Sequence, residues 1–310
     1  MNAIATTGLR KSFGELDVLK GIDLTIAEGT VFALLGPNGA GKTTMIQILT
    51  TLLVPDGGEA RVGGHDVVHQ PDGVRRVIGM TGQLSAVDGL LTGEENLRLM
   101  SDLCHLERSV RRRRVAELLT EFDLVDAANK PASTYSGGMR RRLDLAMTLV
   151  GDPRIIFLDE PTTGLDPISR HTMWQIIRRL VRDGVTIFLT TQYLDEADEL
   201  ADRIAVLDGG QIIAEGTPAE LKRLIPGGHI RLTFDALPEL EEARLALADA
   251  VDDESDLTLQ VPSDGGVASL RAVLEQLDNA AIDVKELSIH TPDLDDVFFA
   301  LTSRQKEVSR

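Results

Sequence analysis

A lone cysteine, Cys104, stands in a chain of 310 residues, so no internal disulfide can form and the thiol content suits a reducing cytosol. The role expected of that residue is a small apolar filler on a helix. Long hydrophobic runs are missing as well. Stretches such as Val31-Phe32-Ala33-Leu34-Leu35 fall well short of the roughly 18 residues that a membrane-spanning helix needs. Met1-Asn2-Ala3-Ile4-Ala5-Thr6-Thr7 holds neither the basic region nor the apolar stretch of a signal peptide. His65, His69, His105, His171, His229 and His290 show no metal-ligand spacing, and Cys104 has no ligand partner nearby. There are no internal repeats or low-complexity segments.

Basic charge is also scarce. A formal net charge of −17 argues against a nucleic-acid partner, because phosphate binding needs a basic surface. The acidity is uneven: residues 228–310 carry 18 Asp+Glu against 7 Lys+Arg, a net of −11, which leaves −6 for the remainder. Such different charge densities predict two domains, 1–225 and 228–310. An acidic tail domain is repelled by an anionic membrane surface, so any membrane contact is expected to run through protein. At 43% hydrophobic and 26% charged, the composition is that of an ordinary globular protein.

The first two-thirds alternates β-rich runs with helical patterns, which predicts an α/β sheet. Residues 30–35, 154–158 and 185–190 read as buried strands, each closed by a polar turn. Ala205-Val206-Leu207 and Ile212-Ile213 flank Asp208-Gly209-Gly210, a hairpin signal. A helical insert is expected over about 85–150, with Leu97, Met100, Leu103 and Cys104 on one face and Val115, Leu118, Leu119 and Phe122 on another. Pro226-Gly227-Gly228 is the linker candidate. Beyond it, strands at 230–234, 257–261 and 284–289 and helices at 237–250 and 267–277 predict a small α+β domain. A last helix starts at Thr291-Pro292-Asp293 and aligns Leu294, Val297, Phe298 and Leu301.

Gly36-Pro37-Asn38-Gly39-Ala40-Gly41-Lys42-Thr43 fits G-x-x-x-x-G-K-S/T in full, between a predicted strand and a predicted helix. Glycines let successive backbone N–H groups turn onto phosphate oxygens, and the following helix adds its positive end. Lys42 can reach the β- and γ-phosphates, and the Thr43 hydroxyl suits Mg²⁺; Thr44 follows in the nucleotide-binding set. Arg154-Ile155-Ile156-Phe157-Leu158-Asp159-Glu160 supplies the complement. Asp159, at the end of an apolar strand, can hold Mg²⁺ through water, and Glu160 can orient or deprotonate an attacking water.

Tyr135-Ser136-Gly137-Gly138-Met139 resembles the signature loop of ABC transporter ATPases, and Gln83, Gly164-Leu165-Asp166 and Phe13 follow the family's motif order. The resemblance covers roughly residues 4–225. It implies a P-loop NTPase core of the ABC type with a helical insert, and ATP and Mg²⁺ as cofactors. Two nucleotides would lie between two copies, with Ser136, Gly137 and Gly138 of one capping the γ-phosphate held by the other. Gln83 would contact Mg²⁺ and link the site to the membrane partner, Asp166 would lie in the segment crossing the dimer interface, and Phe13 would stack on adenine. Leu189-Thr190-Thr191-Gln192-Tyr193-Leu194-Asp195-Glu196-Ala197-Asp198 and Leu294-Asp295-Asp296-Val297-Phe298-Phe299-Ala300-Leu301-Thr302 resemble the daunorubicin/doxorubicin-resistance ATPase family of bacterial exporters. That likeness implies a motor at the cytoplasmic face of the membrane, a permease on a separate chain, and efflux of an amphipathic compound.

Gln192 stands where most ABC ATPases have histidine. It keeps a donor and an acceptor but carries no proton near neutral pH, which leaves Glu160 as the base; a slow or inactive site is the alternative. Arg111-Arg112-Arg113-Arg114 reads as a solvated helix face pairing with Glu107 or Glu117. Arg140-Arg141-Arg142 reads either as a solvated face or as a field attracting ATP. Trp174 is expected to pack in the helix after Asp166, and Val297-Phe298-Phe299 to pack on its own sheet or to dock a partner. The competing functional readings are a soluble ABC-type ATPase and a nucleotide sensor without useful turnover.

Overall fold

The computed structural model describes residues 2–83, 85–224, 228–247, 250–253, 257–263, 266–290 and 293–299. The chain divides into two units, Met1–Pro218 and Ala219–Arg310. Among the described residues no helix is long and apolar enough to cross a membrane.

The first unit is built on a six-stranded sheet in the order Gln211–Gly216, Arg203–Asp208, Val31–Leu35, Thr186–Thr191, Ile155–Asp159, Ile78–Thr81. Neighbours among the last five are parallel. Val31–Leu35, Ile155–Asp159 and Thr186–Thr191 are buried along their whole length, which is why they read as unbroken apolar runs in sequence. Parallel neighbours end at the same edge, so the loops after Leu35, Thr81, Asp159 and Thr191 all emerge together. The edge pair is the expected hairpin: Asp208 faces Gln211, and Gly209 and Gly210 both take positive φ, 53° and 80°.

A second, antiparallel sheet of Leu16–Ala27, Asn2–Phe13, Gly57–Val62 and His65–Asp66 was not anticipated. Register shifts between Thr6 and Leu9 and between Lys11 and Ser12 break the period-two pattern of Asn2–Phe13, while Leu16–Ala27 alternates only over Ile22–Ala27. Its inner face (Ile4, Leu9, Ile22 and Ile26) joins Met45, Ile46, Phe157 and Phe188 in one core.

The helical insert holds Gly93–Leu103, Arg108–Glu121 and Gly137–Thr148. Val115, Leu118, Leu119 and Phe122 are buried as expected. The face of Gly93–Leu103 needs correction. Gly93, Asn96, Leu97 and Ser101 point inward, while Leu103 is 63% exposed and Cys104 is exposed. Asn96 wins an inward position because its amide is satisfied there, donating to the carbonyls of Asp88 and Thr92. Arg113 and Arg114 pair with Glu117, and Arg111 with Asp102; Glu107 is the helix N-cap.

The second unit carries a four-stranded antiparallel sheet in the order Val251–Asp253, Thr258–Ser263, Gly228–Thr233, Glu286–His290. Helices Leu237–Ala246 and Val267–Ala280 share its core, which includes Ile230, Leu232, Phe234, Leu240 and Leu277. Residues 294–299 are helical, with Leu294 and Val297 buried and Phe299 76% exposed. Pro226, Gly227, Thr291, Pro292 and Leu301 lie outside the described residues.

Candidate functional site

The buried strand Val31–Leu35 delivers the chain to the loop 36–43 at the sheet edge, and the helix Lys42–Leu49 follows. A side chain at Gly36 would run into the Leu207 carbonyl oxygen. At Gly41, φ is 111° and an added Cβ would meet Leu19 Cδ2 at 2.9 Å, so only glycine fits. Ala40 is buried, and its N–H donates to the Pro37 carbonyl at 3.2 Å. The Lys42 ammonium turns onto its own loop, donating to the carbonyls of Gly36 (2.7 Å) and Pro37 (3.1 Å), and lies 3.8 Å from Glu160 Oε1. Burial pulls the Lys42 pKa below its ordinary value, against the opposing pull of Glu160 and Asp159.

Asp159 closes its strand almost fully buried. Thr43 Oγ1 donates to its Oδ2 at 3.1 Å, and Thr190 Oγ1 to its Oδ1 at 2.5 Å. A hydroxyl and a carboxylate in contact form the kind of oxygen set that a hard divalent cation takes. Glu160, the next residue, has φ 48°, a left-handed conformation costing of order 1–3 kcal/mol for a non-glycine residue. Its N–H donates to the Thr190 carbonyl at 3.1 Å, and its Oε2 accepts from Thr163 Oγ1 at 3.3 Å. That backbone turn swings the carboxylate away from the strand and toward Lys42.

A cavity of about 550 Å³ is lined by Asn38, Gly39, Gly41, Lys42, Thr43, Thr44, Gln83, Glu160 and Gln192, all read from the sequence, and by Val18 and Thr163, which were not. Gln83 and Gln192 follow the two strands that flank Ile155–Asp159, at the same sheet edge, and both are exposed. The remaining candidates lie elsewhere. Phe13 ends its strand half-exposed, with Lys11 Nζ 5.5 Å from the ring centroid. Ser136 caps the helix Gly137–Thr148 by accepting from the Met139 N–H, and Ser136 and Gly137 are exposed. Gly138 is buried against Ser169, which in turn donates to Asp166, the N-cap of the helix Pro167–Arg182. In one copy of the chain, therefore, Phe13, Ser136, Gly137, Gly138 and Asp166 are not lining residues of the phosphate-loop cavity.

Residues 19–163 match the family described as ABC transporter. A daunorubicin/doxorubicin resistance ATP-binding protein of Streptomyces peucetius is 50% identical over 97% of this chain and 92% of its own length. The chain belongs to the ABC transporter family of ATP-binding proteins. A Nod factor export ATP-binding protein of Ralstonia nicotianae is 37% identical over 97% of the chain and 94% of its own length. A solved dimeric ATP-binding cassette in a post-hydrolysis state, bound to ADP and phosphate, is 29% identical with a TM-score of 0.62, over 69% of this chain and 98% of its own. The protein is the ATP-hydrolysing subunit of an ABC export transporter.

In this ABC ATPase two supporting residues lie in the stretch 189–198 quoted for the family resemblance but were given no role from sequence. Thr190 is one, holding both Asp159 and the Glu160 N–H. Glu196 is another: it is fully buried and accepts from Thr162 Oγ1 at 2.8 Å and Trp174 Nε1 at 3.3 Å. Burial pushes its carboxyl pKa up. Their place in that stretch was legible, but not what they hold, because the partners Asp159, Thr162 and Trp174 are distant in the chain.

Proposed function

We propose that two copies of the chain close around two ATP molecules, each cavity being completed by the Ser136-Gly137-Gly138 turn of the other copy. The observation that carries the reading is the convergence of Lys42, Thr43, Glu160, Gln83 and Gln192 on one cavity. The exposed ends of Ser136 and Gly137 leave that turn available to a partner. In this reading residues 1–225 form the ATP-binding domain and 228–310 an accessory α+β domain.

On binding, Lys42 exchanges the Gly36 and Pro37 carbonyls for β- and γ-phosphate oxygens, and backbone N–H groups of 38–43 take the remaining ones. Thr43 and Asp159, with Gln83, would hold Mg²⁺, whose chemistry is to neutralise phosphate charge. Glu160 takes a proton from the attacking water as the water oxygen bonds the γ-phosphorus and the bridging P–O bond breaks, yielding ADP and phosphate. Gln192 donates to the γ-phosphate and accepts from the water, orienting it without exchanging a proton. Asp166 and Phe13 serve the dimer interface and the adenine ring.

Closure and reopening of the dimer would drive a permease on a separate chain, with the ATPase held at the cytoplasmic face through that partner. We assign the cargo to amphipathic, drug-like compounds, on the near-full-length likeness to the resistance protein of S. peucetius. The test is ATP-dependent uptake of daunorubicin into inverted vesicles holding this chain and its permease partner. Uptake that needs both chains and is lost with Glu160→Gln is expected; equal uptake without ATP would overturn the assignment.

A further inference from the structure

Arg141 lies on the signature helix Gly137–Thr148, on the side of the fold facing the catalytic strand end, and joins segments that the cavity residues occupy separately. Its Nε donates to the Pro161 carbonyl at 2.8 Å, and Nη2 donates to the carbonyls of Asp159 (3.1 Å) and Glu160 (3.3 Å). Nη1 donates to the Gly82 carbonyl at 2.9 Å and to Asp144 Oδ2 at 3.3 Å. Asp144 Oδ1 in turn accepts the Ala86 N–H at 3.1 Å. The Arg141 and Asp144 side chains retain only 11% and 4% of their exposure. One buried pair thus grips the chain on both sides of Gln83 and the carbonyls of residues 159–161.

A guanidinium is suited to this, since its planar fork carries five N–H donors; a lysine ammonium at the same place could not span both segments. Glu160 is held from both ends of its backbone, its N–H by Thr190 and its carbonyl by Arg141, which accounts for how a non-glycine residue keeps φ 48°. An apolar pair here would leave the carbonyls of Gly82, Asp159, Glu160 and Pro161 without this donor, so the pair's role is tied to those segments.

We infer that Arg141, braced by Asp144, is a positioning residue that sets Glu160 and Gln83 in register and couples movement of the signature helix to both. The inference rests on the ATPase reading of the cavity. It predicts a separation of turnover from binding: the cavity wall still takes nucleotide, but the base and the Gln83 segment lose their common anchor.

The experiment uses the full chain and two variants, Arg141→Lys and the double variant Arg141→Met with Asp144→Leu, the latter leaving no lone buried charge. Steady-state ATPase, affinity for the non-hydrolysed analogue adenylyl imidodiphosphate with Mg²⁺, and the thermal unfolding midpoint are measured on each. Both variants are expected to stay folded at the assay temperature with a midpoint lowered by roughly a few degrees, because backbone carbonyls lose their donor. They should bind the analogue within about threefold of the parent and lose about 10- to 100-fold in kcat with little change in KM. Adding Gln83→Ala to either should cost less than the product of the separate losses, because the residues act as one unit. A double variant with kcat within about twofold of the parent sinks the clamp. So does a loss of turnover that only tracks lost analogue binding and unfolding at the assay temperature. A parent protein that neither binds the analogue nor hydrolyses ATP would instead remove the nucleotide site on which the clamp depends.

Discussion

Thr43 Oγ1 donates to Asp159 Oδ2 at 3.1 Å although the two residues are 116 positions apart. The bond ties the start of the phosphate-loop helix to the end of the strand carrying the acids, and it brings together the two oxygens that suit a hard cation. Asp159 is held from its other side by Thr190, so its carboxylate has little freedom to turn away.

Asp159→Asn is therefore expected to lower ATP turnover roughly 100-fold or more, since the amide halves the oxygen donors and removes the charge. Chelation of divalent ions with EDTA should abolish turnover in the parent protein, with recovery on adding Mg²⁺. Turnover that persists in excess EDTA would show that Thr43 and Asp159 serve another purpose.

Glu160→Gln keeps the side-chain shape but cannot take a proton, so a loss of about 10²- to 10⁴-fold in kcat is expected. With ATP bound and not consumed, two copies should stay closed. Gel filtration in Mg²⁺–ATP is expected to show the variant as a dimer, and a monomer under all ATP conditions would count against a shared site.

Gln192→Ala should lose most turnover and keep nucleotide binding, because the lost side chain faces the cavity but is not part of the phosphate loop. Gln192→His should restore much of the turnover and add a limb near pH 6.5 to the kcat profile, where an ordinary imidazole titrates. Near-parental hydrolysis by the alanine variant removes Gln192 from the chemistry.

In the second unit His229 and His290 face one another across adjacent strands, ring centroids 4.8 Å apart. Burial holds the His229 pKa below its ordinary value, with His290 and Arg231 adding to the shift and Asp296 opposing it. The folded state therefore binds that proton less readily than the unfolded state. Its contribution to stability is full above the ordinary histidine value and is lost as pH falls below it toward the depressed one. The protection of the Gly228–Thr233 amides, taken relative to the unstructured-chain exchange rate at each pH, should fall between pH 7.5 and pH 5 in the parent and fall less in His229→Gln. An equal fall in both would exclude His229 as the cause.

Local chemistry made much of this protein legible before any coordinates. The phosphate loop, Asp159 and Glu160, the buried strands and the Gly209-Gly210 hairpin are each written in contiguous residues, because their backbone and burial demands are met within a few positions. Tertiary structure alone decided the rest. Register shifts broke the alternation along Asn2–Phe13, and the period-two run Ile22, Leu24, Ile26 in its partner strand Leu16–Ala27 was the one signal of that sheet, not read from sequence. Asn96 takes an inner-face position because its amide finds carbonyl partners, while Leu103, the last residue of that helix, is left exposed. Arg141 looked like one of three similar arginines until folding placed the carbonyls of Gly82, Asp159, Glu160 and Pro161 around it. A sequence specifies which groups can bond, but for a long side chain the choice among distant partners is settled only when the packed backbone brings their oxygens within reach.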